Sequence, residues 1–159
     1  MTARTKSARR RALFTIGYEQ AKPAAVLKEL KSAKIETLVD TRAVAASRRP
    51  GFSKKQLAAS LRDAGIDYTH LQKLGTPAEG RAAARSGDID RLWAVYDKHI
   101  KTKEAQTSLA ELLSLIKSGK RVALLCYCRD PRTCHRSRIA ANVSKRMRID
   151  VKDLIPPLY

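Results

Sequence analysis

Three cysteines, a histidine and an arginine crowd one short stretch of the chain: Cys126, Cys128, Cys134, His135 and Arg136. Every cysteine of the protein lies there, where the apolar run Val122-Ala123-Leu124-Leu125 ends. Four chemistries fit these residue types. In the first, Thr133 caps a helix whose opening turn is Cys134, His135 and Arg136. The free backbone N–H groups of that turn and the planar guanidinium then suit a phosphate or carboxylate. In the second, a thiol at a helix N-terminus beside His and Arg is stabilised as thiolate, which makes Cys134 or Cys126 a candidate nucleophile. His135 is next to Cys134 in the chain, and adjacent helical residues do not face one another, so His70 is the better base. In the third, Cys126 and Arg132 have the Cys-x5-Arg spacing of phosphatase-like and rhodanese-like loops. Pro131 has no N–H to give such a loop, Asp130 repels phosphate, and no glycine eases the turn. In the fourth, Cys126, Cys128, Cys134 and His135 ligate a metal, although their spacing is not a usual zinc pattern. No metal is assigned on this basis and no cofactor is named. The plainest alternative makes Cys126 a small buried hydrophobe at the end of a core strand.

Two other segments carry chemistry where apolar runs stop. Gly17-Tyr18-Glu19 follows residues 12–16, and Asp40-Thr41-Arg42 follows Leu38-Val39. Gly17 lets backbone approach a ligand. Glu19 and Asp40 offer carboxylates for acid–base work, for ribose hydroxyls or for holding Arg136. An Asp40–Arg pair with a purely structural role is an equal reading, because a carboxylate ending a buried strand must be paired. Arg42, Arg48 and Arg49 read as solvated or polyanion-facing. Trp93, Tyr96 and His99 share an amphipathic helix and read as packing residues.

The scaffold that positions these groups alternates two periodicities. Strands are expected at residues 12–17, 38–40, 66–71, 121–126 and 151–155. Helices are expected after Pro23, from Ser53 to Gly65 with Gln56 completing a capping box, from Asp88, around Leu109 to Gly119, and after Thr133. Residues 75–87 read as a loop or lid. Strands alternating with helices predict one three-layer α/β domain, with a mostly parallel sheet of about five strands covered on both faces. Residues 121–126, the most continuous apolar run, should be central. In such a sheet the strand ends named above meet at one rim, where ligands bind.

Charge is the other distinctive property. The 159 residues carry 33 Lys and Arg against 15 Asp and Glu, a net +18 with a pI near 10.3. Such a field attracts polyanions. Five of the first eleven residues are basic, which predicts a disordered basic arm over residues 1–11 ahead of a domain at 12–159. Three cysteines in so tight a cluster do not read as a disulfide scaffold, so a cytoplasmic setting is expected. No segment approaches the roughly 20 apolar residues of a membrane span.

The motifs Thr15-Ile16-Gly17-Tyr18-Glu19, Leu38-Val39-Asp40-Thr41-Arg42, Pro50-Gly51-Phe52-Ser53, Tyr68-Thr69-His70-Leu71, Leu74-Gly75 and the run from Cys126 to Arg136 occur in the order seen in the domain-of-unknown-function 488 (DUF488) family. Over about residues 12–155 the chain resembles that family. The resemblance implies a compact α/β domain and brings no established activity. It matches Gly17, Tyr18 and Glu19, then Asp40 and Arg42, then Cys126, Cys134, His135 and Arg136 to the family's polar motifs. Cys128 departs from the pattern, which more often carries Glu there.

The leading expectation is an enzyme acting on a phosphate-bearing small molecule, nucleotide or nucleic acid. Glu19, Asp40, Cys126, Cys134 and His135 are its candidate catalytic residues, and Gly17, Tyr18, Arg42 and Arg136 its anion-binding residues. A non-catalytic nucleic-acid module and a metal-dependent regulator are the alternatives. No membrane partner is expected, and oligomeric state is not legible.

Overall fold

The computed structural model describes residues 11–158. The elements run β1 Arg11–Gly17, α1 Pro23–Ser32, β2 Thr37–Asp40, α2 Lys54–Asp63, β3 Asp67–His70, α3 Ala78–Arg85, α4 Ile89–His99, α5 Lys103–Lys117, β4 Val122–Cys126, α6 His135–Ser144 and β5 Ile149–Leu154. Single 3-10 turns occupy Gln72–Leu74 and Pro131–Thr133. Five strands make one all-parallel sheet in the order β3-β2-β4-β1-β5. As expected, β4 is central, and all five of its residues are buried. Of the basic arm expected over residues 1–11, residues 1–10 lie outside the described residues, and Arg11 belongs to β1.

Strand alternation sorts the core into two halves. Leu13, Val122 and Leu124 face one side, where Tyr96 of α4, Leu109 and Leu112 of α5, and Ile139 and Val143 of α6 cover them. Phe14, Ile16, Ala123 and Leu125 face the other, under Val26 and Leu30 of α1 and Leu57 and Leu61 of α2. No helix among the described residues is long and apolar enough to cross a membrane.

Three local expectations change. Residues 75–87 hold α3 rather than a loop: their alanines favour helix but present no large apolar periodicity. Gly80 lets α3 pack tightly, since a Cβ there would sit 2.5 Å from Thr76 Cγ2 and 3.2 Å from Val95 of α4. Ser53 occupies the α2 cap position without a capping-box bond; its hydroxyl pairs with Ser47, and Gln56 accepts from the Gly51 amide. The cap of α6 is Cys134, one residue beyond the expected Thr133, which ends the preceding 3-10 turn.

Candidate functional site

The site is made by divergence. β1 and β4 are neighbours in the sheet, yet the helices that follow them, α1 and α6, cover opposite faces. Their connecting loops part beyond the strand ends, where ligands bind in open α/β sheets. A cavity of about 320 Å³ lies there.

Cys126, Cys134 and His135 sit together in its wall. The cysteines are 2% and 1% exposed, and their sulfurs are in contact although their Cα atoms stand 7.8 Å apart. Cys134 is extended, with φ −119° and ψ 143°, because it precedes the helix. That conformation corrects the expected poor geometry between neighbours: one extended and one helical residue turn their side chains together, and Cys134 Sγ lies 3.7 Å from His135 Nδ1. His70, the alternative base, lies elsewhere, with Nε2 donating to the Arg42 carbonyl at 2.7 Å.

The neighbours of His135 determine its tautomer. Nε2 lies 2.9 Å from the Thr41 carbonyl oxygen, which can only accept. It also lies 3.1 Å from the Thr41 hydroxyl, whose own proton goes to the Leu125 carbonyl. Nε2 therefore carries the hydrogen, and the Nδ1 lone pair faces Cys134. Burial pushes the imidazole pKa down to about 4, so the ring is neutral near pH 7.

Behind this cluster stands Arg136, fully buried in α6. Nε donates to Thr15 Oγ1 at 3.1 Å, Nη1 to Cys126 Sγ at 2.8 Å and to the Cys128 carbonyl, and Nη2 to the Arg129 carbonyl at 3.2 Å. Burial lowers its pKa from the ordinary arginine value. The fork expected to hold a ligand thus clamps the loop after β4 and does not line the cavity. Gly17 permits this clamp, since a Cβ there would lie 1.8 Å from the Cys128 carbonyl oxygen and 3.0 Å from Arg136 Nη1. Gly17→Ala should cost about 1–3 kcal/mol or more, because backbone must move to admit the methyl; a chemical denaturation midpoint equal to wild type would contradict the close approach.

The two carboxylates also work from behind. Asp40 is fully buried and pairs with Arg42 through Nε–Oδ1 at 2.9 Å and Nη2–Oδ2 at 2.7 Å, while Tyr68 donates its hydroxyl to Oδ2. Arg42 Nη1 donates to Tyr18 Oη at 3.1 Å and to the Phe52 carbonyl at 2.7 Å. Burial pulls the Arg42 pKa down, but the Asp40 partnership outweighs it and the net shift is upward. Burial and the Asp40 bond both raise the Tyr68 pKa. Glu19 accepts the Arg129 amide at 2.9 Å, steadying the same loop that Arg136 holds. Arg49, expected to face solvent or a polyanion, donates to the Tyr18 and Ala21 carbonyls and packs over Phe52. Tyr96 and His99 pack as expected, donating to the Leu74 and Lys73 carbonyls.

Of the nine residues singled out in sequence, the structure brings Cys126, Cys134, His135, Tyr18 and Arg42 to the cavity. Gly17, Glu19, Asp40 and Arg136 form the supports behind it. Sequence reasoning missed Arg81 and Arg85, which reach the cavity from α3. Their i, i+4 spacing puts them on one helix face, a signal hidden once residues 75–87 read as loop. Arg81 donates to the Thr76 carbonyl at 2.8 Å, and neither arginine has an ion-pair partner among the described residues. No carboxylate among the described residues lines the cavity. Cys128 lines it too, outside the three-residue cluster, and burial raises its thiol pKa.

Comparison with known proteins matches residues 22–143 to a family described as Domain of unknown function DUF488. No curated protein matches the chain. Among solved structures, a solution NMR structure of a de novo designed protein with a P-loop NTPase fold aligns over 92% of this chain and 84% of its own, at 11% identity and a TM-score of 0.32.

Proposed function

The chain belongs to the DUF488 family, and from that footing we propose that it is an enzyme acting on a phosphate-bearing small molecule in the cavity beyond β1, β2 and β4. One observation carries the reading: the Cys126 and Cys134 sulfurs and the His135 imidazole share a cavity with Arg42, Arg81 and Arg85, and no carboxylate among the described residues lines it. Arg81 and Arg85 are the anion-binding residues, because Arg42 is already neutralised by Asp40. Tyr18 and Tyr127, set edge to face with ring centroids 5.4 Å apart, supply flat apolar wall for the rest of the molecule. A cavity of about 320 Å³ has the size of a small-ligand site. The reacting groups are Cys126, Cys134 and His135. Asp40, Glu19 and Arg136 are positioning residues that act through Arg42 and the loop after β4.

Calorimetric titration with inorganic phosphate, pyrophosphate and a nucleoside monophosphate tests this. Binding is expected for at least one, and Arg81→Ala with Arg85→Ala should weaken it at least about tenfold, the equivalent of about 1.4 kcal/mol. No binding by the folded wild-type chain, or undiminished binding by the double variant, overturns the reading. Nucleic acid is the other source of phosphate favoured by the net +18. Binding only to DNA or RNA, falling steeply with salt and indifferent to Arg81 and Arg85, would replace the enzyme with a non-catalytic binding module.

A further inference from the structure

We propose that Cys126, Cys134 and His135 are three protein ligands of one zinc-type cation whose fourth coordination position opens into the cavity. The inference rests on the functional reading above only in what that open position faces; the ligand set is argued separately.

The donor atoms, two sulfurs and an imidazole nitrogen, lie within 4.8 Å of one another. Thiolate with imidazole is the donor chemistry of zinc, and three protein ligands with one open position distinguish catalytic from structural zinc sites. A nitrogen about 2.0 Å and a sulfur about 2.3 Å from a shared tetrahedral ion lie about 3.5 Å apart. Cys134 Sγ and His135 Nδ1 stand at 3.7 Å. The Cα atoms of Cys126 and Cys134 are 7.8 Å apart, wider than the roughly 4.4–6.8 Å that a disulfide spans.

The surroundings fit the same role. A histidine that ligates through one nitrogen nearly always donates its other N–H to a carbonyl or carboxylate, which fixes the ring. His135 Nε2 makes that bond to the Thr41 carbonyl and leaves Nδ1 directed at Cys134. Arg136 Nη1 donates to Cys126 Sγ at 2.8 Å, placing a buried positive charge against the sulfur that would carry negative charge as a ligand. All three ligands line the cavity, so a fourth ligand, water or a substrate oxygen, enters from it. Cys128 lies outside the cluster, which gives an internal control.

The test uses the full chain purified without a metal-affinity step. Elemental analysis should find about one zinc per chain, and Co(II) added after chelation should give strong visible d–d bands with a sulfur-to-cobalt charge-transfer band. Cys126→Ser, Cys134→Ser and His135→Ala should each weaken metal affinity more than about 100-fold, beyond what loss of an outer-shell partner costs, and Cys128→Ser should retain the spectrum. The wild-type measurements stand even if a variant fails to fold. Metal-free wild type that also gives no cobalt spectrum overturns the inference, as does a Cys126–Cys134 disulfide that persists in reductant, or a spectrum lost only with Cys128. Phosphate binding by a chain that takes no metal would sink this inference alone; a metallated chain that binds no phosphate would sink the functional reading alone.

Discussion

Asp40→Ala will lower stability by about 3–5 kcal/mol, because it leaves the buried Arg42 guanidinium without its countercharge. Asp40 is fully buried and Arg42 is 6% exposed, so water cannot replace the lost carboxylate. The remaining Arg42 partners, the Tyr18 hydroxyl and the Phe52 carbonyl, supply dipoles but no charge. Tyr68 also loses the acceptor for its hydroxyl. The expected measurement is a urea midpoint well below wild type at an unchanged slope. Joining Arg42→Met to Asp40→Ala should restore part of the loss, since removing both members of a buried pair costs less than stranding one. A single variant as stable as wild type would show that the charge of Arg42 needs no partner.

The second large effect belongs to Arg136→Lys, which preserves charge and should still cost roughly 3–5 kcal/mol, as each buried acceptor left unpaired costs about 1–3 kcal/mol. An ammonium is a compact point charge and cannot span the arc that the guanidinium serves. That arc runs from Thr15 on β1, through Cys126 Sγ, to the Cys128 and Arg129 carbonyls. Loss of these bonds frees the loop after β4, so the cavity should change with the fold. The expected readout is a lowered denaturation midpoint together with faster amide exchange at residues 127–130. A midpoint and exchange pattern matching wild type would show that the loop holds its shape without the clamp.

Much of the architecture was legible from residue order. The apolar runs at β1, β2 and β4 are short and buried, and alternation with helical periodicity points to a parallel sheet with two covered faces. That the strand-end motifs meet was legible as well, because residues that end parallel strands lie along one rim. Roles within that rim were less legible. Arg136 read as a ligand fork because sequence shows the charge and planarity of a side chain but not the carbonyls that loop folding brings to it. Asp40 read equally as catalytic or structural, and its bidentate contact with Arg42 favours support. Cys134 and His135 read as turned apart because both were assigned to a helix, whereas a one-residue shift of the cap brings them together. Arg81 and Arg85 went unseen because alanine spacing carries little hydrophobic periodicity.

The order of residues alone determined that strands alternate with helices, that the strand ends carry polar chemistry, and that the chain is strongly basic. These are local or additive properties: side-chain size, backbone preference and charge belong to each residue wherever it sits. Only tertiary folding decided which polar groups meet the cavity and which are spent on other groups. That division depends on distances between segments far apart in the chain, such as Thr41 and His135, 94 positions apart, or Thr15 and Arg136, 121 positions apart. A buried hydrogen-bond donor serves whatever acceptor packing brings within reach, and packing is a property of the whole fold.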